Sequence, residues 1–208
     1  MLVIGIAGGT GCGKTTVVRR IVDALPEGSV AVLSQDSYYR DRSDIPLEER
    51  KELNFDHPDA IEFELLASDI RSLKEGREIQ QPTYSYITCT RGEETVTVSP
   101  RKVIIVEGIL VLQSRELRPL LDIKIYVDTD DDDRLSRVIR RDIIERGRTA
   151  TDVLDRYEKT VKPMHREFIE PSRRHADIIV PNYGDPAVAI NILLTVIEKK
   201  IGNSSTRF

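Results

Sequence analysis

The chain has 208 residues, 39% hydrophobic and 32% charged. That length suits one domain (residues 1–208) with inserts or lids, and the balance excludes a wholly disordered chain and a membrane protein, since no apolar run approaches the ~20 residues of a spanning helix. A net charge of −4 argues against bulk nucleic-acid binding, and Cys12 and Cys89 are too few for a disulfide framework or zinc site, so a reducing, cytoplasmic setting is expected.

Leu2–Ala7 is a short apolar run ending in Gly8-Gly9 and predicts a buried strand rather than a leader peptide. Residues 15–25 carry Val17, Val18, Ile21, Val22 and Leu25 at helical spacing and stop at Pro26-Glu27-Gly28. Residues 29–33 predict a second buried strand, followed by a polar cluster over 34–43. Ile61, Leu65, Leu66, Ile70 and Leu73 predict one helix over 58–75, ended by Gly76. Residues 79–86 and 95–98 alternate on either side of Arg91-Gly92-Glu93 and predict a β-hairpin insert over about 79–98. Buried strands follow at 102–106 and 123–127, then a helix over 130–145 with acids at its start. Residues 149–161 and 162–169 read as helical, 177–180 as a last strand, 186–201 as a closing helix, and 202–208 as a frayed tail. Strands alternating with helices predict a three-layer α/β fold with a mostly parallel sheet covered on both faces.

Between the first strand and first helix lies Gly8-Gly9-Thr10-Gly11-Cys12-Gly13-Lys14-Thr15, the P-loop spacing G-x-x-x-x-G-K-[S/T]. Glycines let successive N–H groups turn inward onto phosphate oxygens, and the helix start adds its positive dipole end. Lys14 suits the β- and γ-phosphates, and the Thr15 hydroxyl suits Mg²⁺. The expected nucleotide-binding residues are Gly8–Thr16: Gly8, Gly9, Thr10, Gly11, Cys12, Gly13, Lys14, Thr15 and Thr16. The N/T-K-x-D and D-x-x-G strings of GTPases are missing, which favours a small-molecule kinase over a switch.

A kinase also needs a base and an acceptor pocket. Asp36 follows the second strand, where ligands of open α/β sheets bind; it reads as a base or Mg²⁺ ligand, or else as a turn aspartate. Glu107 ends a strand and reads as a metal-site acid or a solvated strand end. Asp56, just before Pro58, reads as a helix cap or as an acceptor for a diol. Arg134, Arg137 and Arg141 fall on one helical face, with Leu135, Ile139 and Ile143 on another. Running into Glu145-Arg146-Gly147-Arg148, this predicts either a basic lid over about 134–160 that closes on phosphates or a solvated basic face. His57, His165 and His175 have no metal partners at ligand spacing and read as isolated.

Together with the P-loop, Gln35-Asp36-Ser37-Tyr38-Tyr39, Asn54-Phe55-Asp56-His57-Pro58-Asp59, Val106-Glu107-Gly108-Ile109-Leu110, the stretch Arg141-Asp142-Ile143-Ile144-Glu145-Arg146-Gly147-Arg148 and Ala176-Asp177-Ile178-Ile179-Val180-Pro181 resemble the uridine–cytidine kinase family, in order and over nearly the whole chain. The resemblance implies ATP- or GTP-dependent phosphorylation of a nucleoside 5′-hydroxyl to UMP or CMP, in cytoplasmic pyrimidine salvage, by a homo-oligomer, often a tetramer. It implies Asp36 as general base, Asp56 as ribose-hydroxyl acceptor, and Thr15, Asp36 and Glu107 near Mg²⁺. It further implies Arg141, Arg146 and Arg148 in the lid, with Arg148 reaching substrate, and Asp185 near the nucleotide base. Tyr84 matches a substrate-contacting tyrosine. Ser85 and Cys89 stand where the family's hairpin carries Asp and a base-reading His, and a thiol is a weaker hydrogen-bonding group. Val138 stands where many members carry another lid arginine. The competing expectations are a P-loop kinase of another alcohol, phosphoribulokinase- or pantothenate kinase-like, and a nucleotide-sensing regulator without turnover.

Overall fold

The computed structural model describes residues 1–203. An all-parallel sheet runs in the order β2-β5-β1-β6-β7, built from β1 (Leu2–Ala7), β2 (Val30–Ser34), β5 (Val103–Glu107), β6 (Ile123–Asp128) and β7 (Ile178–Pro181). β3 (Ile79–Ser85) and β4 (Thr90–Val98) form the expected antiparallel hairpin as a separate sheet. The central strands serve two cores at once. Val3, Ala7, Ile104, Val106 and Tyr126 face one core, shared with α3 (Phe63–Lys74) and residues 109–121. Leu2, Ile4, Ile6, Val103, Ile105 and Ile125 face the other, shared with α1 (Lys14–Ala24) and α8 (Ala187–Asn203). A strand covered on both faces needs apolar side chains at successive positions, and the sequence supplies them.

Four expectations are corrected. β2 is an edge strand beside β5 alone, and Val32 is 37% exposed, so it is not buried throughout. The helix expected over 58–75 is broken: Pro58–Ala60 makes one 3₁₀ turn, Ile61 is extended and bridges to Tyr39, and α3 starts at Phe63. Ile61 keeps the apolar rhythm because it is buried by that bridge, not by a helix. α2 (Leu47–Lys51) is a short helix that periodicity did not announce. The helical run after α5 (Ala150–Arg156) contains two π-helical turns, Tyr157–Val161 and His165–Ile169, ahead of α6 (Lys162–Met164) and α7 (Glu170–Ser172). Each π turn holds the residue four positions before a proline, Pro163 or Pro171. A proline ring clashes with that carbonyl in a regular helix, and widening the turn relieves it.

The fourth correction concerns α4 (Asp131–Arg146), whose amphipathic pattern is inverted. Its buried residues are Arg134, Val138 and Asp142, while Ile143 and Ile144 are exposed. The helix packs its polar side on the P-loop, where a Cβ on Gly11 would meet the Arg134 carbonyl and Val138. Of the expected tail, Gly202 and Asn203 belong to α8, and residues 204–208 lie outside the described residues. Among the described residues no helix is long and apolar enough to cross a membrane.

Candidate active site

β1 runs directly into the P-loop, whose shape depends on its glycines. Gly13 has φ +92° and precedes the first turn of α1, a conformation open to glycine at little strain; a Cβ there would also strike the Asn182 amide. With no side chain at this cap, the first N–H groups of α1 are left to an external anion. At Gly9 the constraint is close approach: a Cβ would run into the Arg134 guanidinium and come within 3.0 Å of His165. The loop is held from behind, since the Cys12 carbonyl accepts hydrogen bonds from Thr129 Oγ1 at 3.0 Å and Asn182 Nδ2 at 2.7 Å. Arg134 donates to the Thr10 carbonyl at 3.3 Å. Cys12 is a fully buried free thiol, Gly8 is buried, and Thr15 and Thr16 are exposed on the first turn. Lys14 Nζ folds back onto the carbonyls of Gly8 and Gly9, at 3.1 and 3.4 Å.

Strand register decides which acids share this place. Glu107 lies level with Ile6 of β1 and Ser34 of β2, so three adjacent strands end on one crevice. Asp36 lies in the 3₁₀ turn Gln35–Tyr38 just past β2. Ser34 Oγ donates to Glu107 at 3.1 Å. Burial raises the Glu107 carboxyl above its ordinary range, the Lys14 charge opposes that rise, and the Asp36 charge adds to it. Glu107 thus feels the charges of both Lys14 and Asp36 past the ends of these adjacent strands.

The hairpin supplies one wall. Tyr84 stacks with Tyr39 at 4.8 Å and Tyr86 at 5.3 Å between ring centroids, and Phe55 meets Tyr39 at 5.4 Å. The Tyr86 hydroxyl donates to Asp36 Oδ2 at 2.5 Å, and the Arg146 guanidinium lies 4.2 Å above the Tyr86 ring centroid. Burial first, then the Asp36 charge, pushes the Tyr86 hydroxyl far above its ordinary range, so it remains protonated. Ser85 and Cys89 both serve the hairpin turn. Ser85 Oγ accepts from the Thr88 N–H at 3.2 Å, and Cys89, at φ +51°, places Sγ 3.6 Å from the Tyr86 carbonyl.

Asp56 is not a helix cap. It is buried and accepts from Arg156 Nη2 at 2.8 Å, while His57 Nδ1 accepts the N–H of Asp59 and caps the turn Pro58–Ala60. Four arginines converge on a fully buried acid, Asp142: Arg141 at 2.8 Å, Arg148 at 2.8 Å, Arg146 at 3.5 Å and Arg156 at 3.7 Å. Burial alone would raise the Asp142 carboxyl, but Arg141, Arg146 and Arg148 win and hold it below its ordinary range. Asp185 is set apart from all of these. It follows β7, on the far side of β1 from Asp36, and pairs with Arg20 of α1 at 2.6 Å in the open.

The sequence profile of the Phosphoribulokinase / Uridine kinase family matches residues 3–189. The chain belongs to that family. It is 52% identical over 197 residues to a uridine kinase of Ligilactobacillus salivarius (strain UCC118), covering 95% of this chain and 92% of that one. It is 50% identical over 198 residues to a uridine kinase of Clostridium novyi (strain NT), covering 95% of each. Two solved structures share the fold alone. A proposed fructose transport system kinase from Silicibacter sp. TM1040 superposes with TM-score 0.72 at 22% identity, covering 86% of this chain and 88% of that one. D-glycerate 3-kinase from Cryptococcus neoformans superposes with TM-score 0.58 at 18% identity, covering 83% and 80%.

Several residues of this family member escaped sequence reasoning. His165 packs on the P-loop beside Gly9, with Nδ1 lacking a hydrogen-bond partner among the described residues and Nε2 4.0 Å from Asp131. Burial first, then Arg134 and Lys14, lower its pKa to about 4. Thr129 and Asn182 follow β6 and β7, and their place just past strand ends was the available signal. Tyr86, Asp142 and Arg156 carried no signal, because their partners lie elsewhere in the chain.

Proposed function

We propose that this kinase-family protein transfers the γ-phosphoryl group of ATP or GTP to the 5′-hydroxyl of uridine, and of cytidine, giving UMP or CMP. The observation that carries the reading is the strand register that ends β1, β5 and β2 level, so that the P-loop, Glu107 and Asp36 follow one another at adjacent strand ends, with a tyrosine-rich hairpin nearby. The names borne by relatives about half identical in sequence support uridine as the acceptor. Family resemblance adds the cytoplasm, pyrimidine salvage and a tetramer.

The side chains fit a hard divalent cation. Thr15, Asp36 and Glu107 offer oxygen donors, and among the described residues no cluster of three or more acidic, His or Cys side chains would hold a metal by itself. That suits Mg²⁺, which is usually held by one or two side chains and the nucleotide phosphates. Bound there, Mg²⁺ neutralises charge on the phosphates. Gly8 to Thr16 cradle the triphosphate, and Lys14 neutralises its developing charge. Asp36 orients the 5′-hydroxyl and accepts its proton. Asp56 accepts the ribose hydroxyls in exchange for Arg156, and Tyr84 packs on the base. Arg141, Arg146 and Arg148 gather four-fold with Arg156 on Asp142, an array suited to the transferring group. For Asp185, beyond β7 and paired with Arg20, a role near the nucleotide base rests on the family resemblance alone. Cys89 is a weak base reader, so uridine and cytidine are both accepted.

A coupled ADP-release assay across uridine, cytidine, ribulose 5-phosphate and pantothenate tests this. Turnover is expected on the two nucleosides. Preferential turnover on either other alcohol overturns the acceptor, and ATP binding without turnover on any of them favours the sensor instead.

A further inference from the structure

We infer that Tyr86 is an acceptor-selectivity residue: its hydroxyl caps Asp36 when no nucleoside is bound and so denies the base to water. This rests on the reading of Asp36 as the base that activates the acceptor. Such a kinase meets water at far higher concentration than its alcohol, and a free carboxylate beside a bound triphosphate would serve either. The geometry supplies a guard. Tyr86 donates to Asp36 Oδ2 at 2.5 Å, and among the described residues no other side chain hydrogen-bonds that carboxylate. The donor comes from the hairpin end of β3, beyond Tyr84, so it belongs to the wall that the nucleoside base would touch. Arg146 over the ring holds it in place from the lid side. Tyr86 as a residue is 44% exposed, which leaves it room to swing out when a substrate 5′-hydroxyl takes over the same carboxylate oxygen.

The reaction held back is ordinary hydrolysis. Water loses a proton to Asp36 as its oxygen forms the new bond to the γ-phosphorus. The bond from that phosphorus to the β-bridging oxygen breaks, and ADP leaves with the electron pair. A hydrogen bond from a neutral donor to a charged acceptor shifts an equilibrium by about 10- to 100-fold, which sets the scale of the protection.

The test uses the full-length enzyme, with ADP release measured without uridine and UMP formation measured with it. Tyr86→Phe keeps the ring and its contacts with Tyr84 and Arg146 and removes the donor. The ratio of uridine-independent ADP release to UMP formation is expected to rise about tenfold or more. In the double variant with Asp36→Asn, where UMP formation is lost, uridine-independent ADP release is read by itself and is expected to fall to the level of Asp36→Asn alone. An unchanged ratio in Tyr86→Phe, with both rates falling together, makes Tyr86 a mere prop for Asp36 and overturns the cap. Uridine-independent ADP release that stays raised in the double variant overturns it too, since the water is then activated elsewhere. Should Asp36→Asn alone retain UMP formation, the base assignment falls and takes the cap with it; a dead Asp36→Asn with an unchanged Tyr86→Phe ratio sinks the cap only.

Discussion

Asp36 and Asp56 are both acids set in polar turns, yet their surroundings differ. Asp36 lies just past β2 and, among the described residues, accepts one side-chain hydrogen bond, from Tyr86. Asp56 is buried and neutralised by Arg156, a residue one hundred positions away. Asp36→Asn keeps the size of the side chain and removes its basicity. Its kcat on uridine is expected to fall by about 10²–10⁴, with ATP binding retained in an equilibrium titration. Asp56→Ala is expected to raise the KM for uridine far more than the KM for ATP; steady-state kinetics with each substrate varied in turn check this, and equal changes would count against a ribose contact. Sequence alone left Asp56 between cap and diol acceptor, because both readings use the same residue types before a proline. Its buried ion pair, with the cap passing to His57, removes the cap reading.

At the scale of elements, α4 is where pattern reading failed most instructively. Arginines at i, i+3 and i+7 and apolar residues on another face describe an ordinary amphipathic helix. The helix instead buries Arg134 and Asp142 and exposes Ile143 and Ile144, because the surface it covers is the P-loop and an arginine cluster. Val138 fills that contact against Gly11. Asp142 is the keystone of the segment: four guanidiniums approach one fully buried carboxylate. Removing one partner of a buried ionic group leaves the rest uncompensated. Asp142→Ala is therefore expected to lose stability toward the low end of ~3–5 kcal/mol, since Arg141 and Arg148 are partly solvated. Urea unfolding reads the loss, and it should shrink at high salt, where repulsion among the arginines is screened. The hairpin forms as expected, but its turn lies at residues 86–89, and Arg91-Gly92-Glu93, expected between the strands, belong to β4.

For the whole molecule, His165 links the lid-side helix to the P-loop and makes stability depend on pH. Its pKa is about 4 in the fold against 6.5 in an unfolded chain. Above pH 6.5 it is neutral in both states and has no effect. As pH falls from 6.5 toward 4, the unfolded chain takes up a proton that the folded protein refuses, so stability falls across that window, by up to about 3 kcal/mol. Glu107, whose carboxyl is raised by burial, works in the opposite sense as acid is added. Comparing urea unfolding at pH 7 and pH 5 isolates the histidine: His165→Gln should show a smaller drop than the unmodified protein.

The sequence by itself determined the P-loop, the strand–helix alternation and the apolar strands of the central sheet. Those signals are local: glycine spacing reports backbone geometry, and a strand covered on both faces must be apolar along a short window. Only the tertiary structure decided that Asp142, Arg134, Asp56 and His165 are buried, that β2 forms an edge, and that Tyr86 reaches Asp36. A charged or polar group can leave water when a partner meets it, and those partners are brought by strand order and helix packing from distant parts of the chain.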